Sequence, residues 1–282
     1  MKILASQSLK IRYPNLDAIL EEIGQMKRFG EGLGLSYDDN FTRINPWEEK
    51  FSFFLFASFQ DRIKSAIFNG EGDPFEEFKG DKVSAEKRDQ ELQSKGLDTY
   101  LEGAVAEGGS DGFQISQALL EATSASMAYF IFHEGYHCHA KKLGIHNPIH
   151  LDEPLAHAFG LKATVAFFKA DAHADADFSV LDNHRYAEFC RFVNYCHDFI
   201  SKSYASGKAD RAALFNQAQQ KYTKKYGVPP DTPINNAYLL RHRLYAKHFE
   251  LVMDATESLL AKDFIPNIKA IHRSLVEKIS SN

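Results

Sequence analysis

The residues best suited to chemistry in this 282-residue chain are His133, Glu134 and His137. They form H-E-x-x-H within YFIFHEGYHCHAKKLGIHNPIHLDEPLAHAFG, residues 129–160. On a helix, positions i and i+4 share a face one turn apart. Two imidazoles so placed can reach one metal ion with the ~2.0–2.1 Å bonds that zinc requires. Glu134, one position on, is turned to the flank of that face, where a carboxylate can touch a water on the metal without being a ligand. That is the place of a general base in metal-assisted hydrolysis. The apolar run ISQALLEATSASMAYFIF upstream predicts a buried helix leading into the motif. The plain alternative is a helix with two hydrogen-bonded histidines and no metal. Gly135 favours function: a mid-helix Gly costs roughly 1 kcal/mol against Ala, and close approach of a substrate or a neighbouring helix would explain it.

A catalytic zinc takes three protein ligands and keeps one position open. His139, His146, His150, Asp152, Glu153 and His157 are the candidates for the third. His139 falls on the wrong face, and His146 and His150 lie in the loop GIHNPIH. The spacing H-E-x-x-H-x-x-G-x-x-H is absent, with Ala140 and Leu143 at the Gly and third His positions. Glu153 is best placed. Asp152 reads as an N-cap and Pro154 as a first-turn residue of a second helix. Gly144–Leu151, at ~3.3 Å per residue, spans up to about 26 Å, ample for an antiparallel return that sets Glu153 opposite His137. His157, at i+4 from Glu153, can orient that carboxylate or be a partly buried helix histidine. Cys138 adjoins His137 but points about 100° away, which makes it a bystander thiol.

The elements that must position these residues follow from pattern and breakers. NLDAILEEIGQMKRF predicts an amphipathic helix, FSFFLFASF (51–59) a half-buried strand, SAEKRDQELQSKG a charged helix and LDTYLEGAV a second strand. GEGLG lacks the flanking strand and helix of a phosphate loop, and AEGGSDG (106–112) is a loop by composition. From residue 113 onward, helical periodicity runs through 116–143, 153–170, 184–204, 207–226, 234–261 and 264–279. DAHADAD (Asp171, His173, Asp175, Asp177) lacks the Gly and closing Glu of a calcium loop and reads as a solvated connection. Arg241, Arg243 and Lys247 read as a solvated helix face. The expected fold class is α+β, mostly helical: a mixed part at 1–112 with a small sheet, and a helical part at 113–282 that carries the metal motif, packed as one compact unit.

A net charge of −5 leaves no basic excess for nucleic acid. No window is long and apolar enough for a signal-peptide core or a membrane span. Three Cys imply no disulfide framework. These features predict a cytoplasmic protein with reduced thiols.

H-E-x-x-H followed by a Glu that opens the next helix resembles the gluzincin zinc peptidases, whose N-E-x-x-A stands here as Asp152-Glu153-Pro154-Leu155-Ala156. PINNAYLLRHRLYAKHFELVMDATESLLAKDFIPNIKAI (233–271), with GLGLSY (32–37) and GLDTYLEGAV (96–105) upstream in the same order, resembles a bacterial family described as zinc aminopeptidases. The resemblance covers most of the chain. It implies His133, His137 and Glu153 as zinc ligands, Glu134 as base and Asn235-Asn236 as a helix entry. Two departures stand out: members often begin with a secretion or lipoprotein signal, and the family's Y-S-T-L-G-W-F segment is AEGGSDGF here. Tyr238, His242 and Tyr245 share a helix face by spacing. A phenol or imidazole there can stabilise an oxyanion; Tyr245 matches the family's Tyr and is the first choice, His242 the second.

These residues together predict a zinc-dependent hydrolase acting on a peptide. The rivals are a zinc-dependent hydrolase of a small amide or ester, and a zinc-stabilised binding protein without turnover.

Overall fold

The structure, a computed structural model, describes residues 7–45, 52–69, 72–104, 114–170, 175–207 and 210–280. The loop AEGGSDG and the residues Asp171 and His173 lie outside these. In chain order the elements are α1 (Gln7–Arg12), α2 (Leu16–Gly32), β1 (Arg43–Asn45), β2 (Ser52–Ser58), β3 (Glu76–Lys79), α3 (Lys82–Ser94), β4 (Asp98–Ala104), β5 (Gln114–Ser116), α4 (Gln117–Leu120), α5 (Ser124–Lys142), α6 (Ile149–Ala170), α7 (Asp175–Ala205), α8 (Arg211–Tyr226), α9 (Asn236–Ala246), α10 (Phe249–Thr256), α11 (Ala261–Phe264) and α12 (Ile268–Ser280). The fold is mostly helical with small sheets. Among the described residues no helix is long and apolar enough to cross a membrane. Cys138, Cys190 and Cys196 are free thiols.

The chain forms two compact units, each assembled from separated segments: residues 1–51, 105–185 and 248–282, and residues 52–104 and 186–247. In the first unit, α5 and α6 form an antiparallel pair with α2 against α5 and with α10 and α11 against α6. Helix α5 starts at Thr123, whose side chain accepts the Ser126 N–H at 3.2 Å. It ends with His139, Lys141 and Lys142 in the last turn, where positive charge suits the helix dipole. Helix α6 buries residues all round its axis, including Leu151, Leu155, Phe159, Ala163 and Phe167. Such a helix belongs inside a core rather than on a surface. Phe132, Tyr136, Phe159 and Phe264 are fully buried between these elements. The short strands β1 and β5 pair in parallel; this pairing has no counterpart in the sequence prediction, because three-residue strands leave no periodicity to read.

Helix α6 begins at Ile149 rather than near residue 153, so Asp152 is not its N-cap and Pro154 lies inside the helix. The Pro148 carbonyl opens the helix instead, accepting from Leu151 N–H (2.8 Å) and Asp152 N–H (3.0 Å). Starting four residues early frees the Asp152 carboxylate for a different task.

In the second unit, β2 lies between β3 and β4 in an antiparallel sheet. One face of β2 packs Leu55 and Ala57 with Leu92 of α3; on the other, Phe54 and Phe56 meet Phe75. Covering on both faces explains why FSFFLFASF is almost continuously apolar. Helix α9 lies on β2 and β4 and is fixed by the Asn pair at its start. Asn235 caps it, accepting from Tyr238 N–H at 2.8 Å, and donates to the Thr99 carbonyl at 2.9 Å. Asn236, fully buried, donates to the Phe59 carbonyl at 2.7 Å while its N–H meets Asp98 Oδ2 at 3.0 Å. Arg241 and Arg243 do not form the expected solvated face: Arg241 pairs with Glu102 on β4, and Arg243 with Asn194 and Asp198 on α7. Both guanidiniums find partners because α9 is enclosed on two sides, a long-range fact its own sequence does not carry.

Asn236→Ala removes the buried amide that donates to the Phe59 carbonyl at 2.7 Å. The expected loss is about 2–3 kcal/mol of stability, read as a lower urea midpoint for the metal-free protein.

Candidate metal centre

Antiparallel packing of α5 on α6 brings three side chains to one point. His133 Nε2 and His137 Nε2 are 3.2 Å apart. Glu153 Oε2 stands 3.4 Å from the first and Oε1 3.6 Å from the second. One ligand atom from each residue lies within 4.8 Å of the others. These are the two histidines and the carboxylate singled out by sequence, the carboxylate on the element after the loop. His133 is buried and the other two nearly so.

The hydrogen bonds test whether this set fits a cation. His137 Nδ1 donates to Asp152 Oδ2 at 2.7 Å, which leaves the lone pair of a neutral imidazole on Nε2. Glu153 Oε2 is buried without a hydrogen-bond partner. Two nitrogens and a carboxylate oxygen facing one another at contact distance repel unless something positive lies among them. The donor set of two imidazoles and one carboxylate is that of catalytic zinc. The residues therefore fit a divalent metal.

The surroundings charge the site as a unit. Burial opposes protonation of His137, but Glu153 and Asp152 overcome it and hold its pKa well above the ordinary value. Burial would raise Glu153, yet His137 and His133 hold its carboxyl well below the usual range. Burial pushes Glu134 up, against the pull of both imidazoles. His157 is driven down to about 3, by burial first and by His133 second.

Behind these groups stands a further layer. Asn147, in the loop between the helices, donates to Asp152 Oδ1 at 2.7 Å. Tyr129 Oη lies 3.2 Å from His133 Nδ1 and 2.7 Å from His157 Nδ1. Tyr129 is the residue that sequence reasoning passed over, and Asp152, weighed there as a ligand and read as a cap, has the different role of partner to His137. Tyr129 had a signal, standing one turn before His133 at the same four-residue spacing as the histidine pair. Asp152 was masked by its resemblance to a cap.

Two glycines set how closely the backbone is approached. A Cβ on Gly160 of α6 would lie 3.2 Å from Tyr129 Cε2 and 3.3 Å from the His133 backbone N. On the other side of α5, a Cβ on Gly135 would lie 2.5 Å from Tyr37 Cε1 and 2.9 Å from Leu35 Cδ1. What needs room at Gly135 is thus neither substrate nor a helix but the loop after α2, where GLGLSY ends. That loop is pinned by Lys142 Nζ on Ser36 Oγ (2.8 Å) and Asp38 Oδ1 (2.9 Å).

The remaining histidines of the stretch are elsewhere. His146 is exposed, and the His150 ring lies 5.1 Å from that of His248. His242 and Tyr245 belong to α9 in the second unit. His242 packs against Tyr100, Tyr238 and Phe189, and burial with the neighbouring Arg241 guanidinium pushes it down to about 3. The Arg241 guanidinium sits over the Tyr245 ring at 4.1 Å.

Gly135→Ala gains about 1 kcal/mol of helix propensity but must displace Tyr37 at a cost of about 1–3 kcal/mol. A net loss of stability is expected, seen as a lowered thermal midpoint, and Tyr37→Ala in the same chain should relieve the clash.

Comparison with curated proteins and with solved structures found no match. A family model described as "Putative aminopeptidase" matches residues 15–273. That span takes in both helices of the metal centre, the loop behind Gly135 and the Asn235-Asn236 entry to α9, and the chain belongs to this family.

Proposed function

We propose that the protein is a zinc-dependent hydrolase, a gluzincin-type metallopeptidase with aminopeptidase activity. The observation that carries this reading is the convergence of His133 Nε2, His137 Nε2 and the Glu153 carboxylate beside buried Glu134. Membership of an aminopeptidase family supports it. Zinc held by these three residues would acidify a water to a pKa of about 7 and polarise a scissile carbonyl.

The side chains supply the rest. Glu134 takes a proton from the attacking water at a carboxylate oxygen and delivers it to the leaving amine. Burial raises its pKa against the pull of His133 and His137, the direction that makes a carboxylate a better proton acceptor. Asp152 holds His137 in the tautomer that ligates. On the resemblance to the family alone, Tyr245 is the residue proposed to donate a hydrogen bond to the developing oxyanion. It is preferred over His242, whose ring is committed to an aromatic cluster. Three ligands, among the described residues, is the number of a catalytic rather than a structural zinc, which weighs against a zinc-stabilised scaffold.

Glu134→Gln is expected to keep one zinc per chain and to lose at least about 100-fold in turnover. The assay is hydrolysis of amino-acid amides and of peptides with free or blocked N-termini, with zinc measured on the same sample. Wild-type rates in this variant would overturn the mechanism; equal cleavage of blocked peptides would overturn the aminopeptidase assignment alone. Asp152→Asn is expected to weaken zinc affinity about 10–100-fold, measured by competition with a chromophoric chelator.

A further inference from the structure

The two histidines are supported by different chemistry. Behind His137 stands a carboxylate, Asp152. Behind His133 stands the Tyr129 phenol, and behind that a third imidazole, His157. All of these lie at one-turn intervals: Tyr129, His133 and His137 along α5, Glu153 and His157 along α6. The His157 ring is held edge-on to Phe249 of α10, with centroids 5.3 Å apart.

The Tyr129 hydroxyl can donate to either imidazole, or accept from both Nδ1–H groups with its own hydrogen turned elsewhere. The Tyr129 hydroxyl has one hydrogen. If it donates to His133 Nδ1, the His133 hydrogen moves to Nε2, the atom that faces His137 and Glu153, and His133 has no lone pair for a metal. If His133 Nδ1–H donates to Tyr129 Oη, the hydroxyl turns to its other neighbour, His157 Nδ1, at 2.7 Å. With the hydroxyl donating there, His157 carries its hydrogen on Nε2. His133 Nε2 can ligate only when Nδ1–H donates to Tyr129 Oη; of the two ways to close the 2.7 Å contact, the hydroxyl donating to His157 Nδ1 continues one line of donors from His133 to His157.

We propose that Tyr129 and His157 form an uncharged relay that holds His133 in its metal-ligating tautomer, with His157 acting on the site through Tyr129. This rests on the metal centre proposed above. Tyr129 and His157 are positioning residues, and the closeness of Gly160 to both Tyr129 and His133 keeps the relay in register.

Two experiments on the full-length protein test the relay. In zinc-loaded wild type, 15N shifts of His157 are expected to show the hydrogen on Nε2; a hydrogen on Nδ1 overturns the proposal without any variant. In chelator competition, Tyr129→Phe is expected to bind zinc about 10–100-fold more weakly than wild type, and His157→Leu to be weakened as well. His157→Gln, whose side-chain oxygen can accept from Tyr129, should recover most of the affinity. The pair Tyr129→Phe with His157→Leu should be no weaker than Tyr129→Phe, because both break one chain. Losses that multiply, or wild-type affinity in Tyr129→Phe, overturn the relay while leaving the metal centre intact. Folded wild type that binds no zinc overturns the centre and the relay together.

Discussion

The tight contact of α5 with α6 at Gly160 is the constraint on which the site rests. With only a hydrogen at that position, the α6 backbone can approach the His133 backbone itself, leaving about one methyl group's worth of contact distance. This separation lets a Glu side chain from one helix reach two His side chains on the other, and places Tyr129 beside His157 a turn away. The sequence of elements outward follows from it. Helix α6 must be buried on every side because α5 covers one face and α10 and α11 the other. The loop between the helices must be short and must present Asn147 to Asp152.

A second consequence is electrostatic. The pair of helices gathers Glu134, Asp152 and Glu153 around two histidines in a largely desolvated place. Without a positive charge such a collection would be costly, because buried charge is stable only when paired. The attraction between the imidazoles and the carboxylates raises the pKa of His137 and lowers that of Glu153. A divalent ion answers the same need. The anionic surroundings as well as the candidate ligand atoms would therefore contribute to metal affinity.

How much was legible in the sequence depends on the range of each interaction. His133, His137 and Glu153 were legible because helix periodicity sets the first two and a short loop limits where the third can go. The segments 51–59, 84–96 and 97–105 were legible from local composition. The start of α6 was not: Asp152 before Glu153 and Pro154 looks like a cap, but Pro148 opens the helix and the core favours extra apolar turns. The continuous periodicity predicted for 234–261 hides a break between α9 and α10 around Lys247 and His248. It falls where the chain passes from one compact unit to the other. Arg241 and Arg243 were illegible for the same reason, since their partners are 139 and 49 residues away.

The interleaving of the two units has a consequence for the order in which the protein is made. The helices that carry the candidate metal ligands are complete by residue 170, but Phe249 and Phe264, which close the apolar side of α6, come some eighty to a hundred residues later. Throughout that interval of synthesis a helix apolar on every face has no partner on one side. The nascent chain therefore carries an apolar helix face next to the candidate metal centre while residues 186–247, the later segment of the second unit, are synthesised. The apolar side of α6 is closed only by α10 and α11, which follow the motif at long range in the chain.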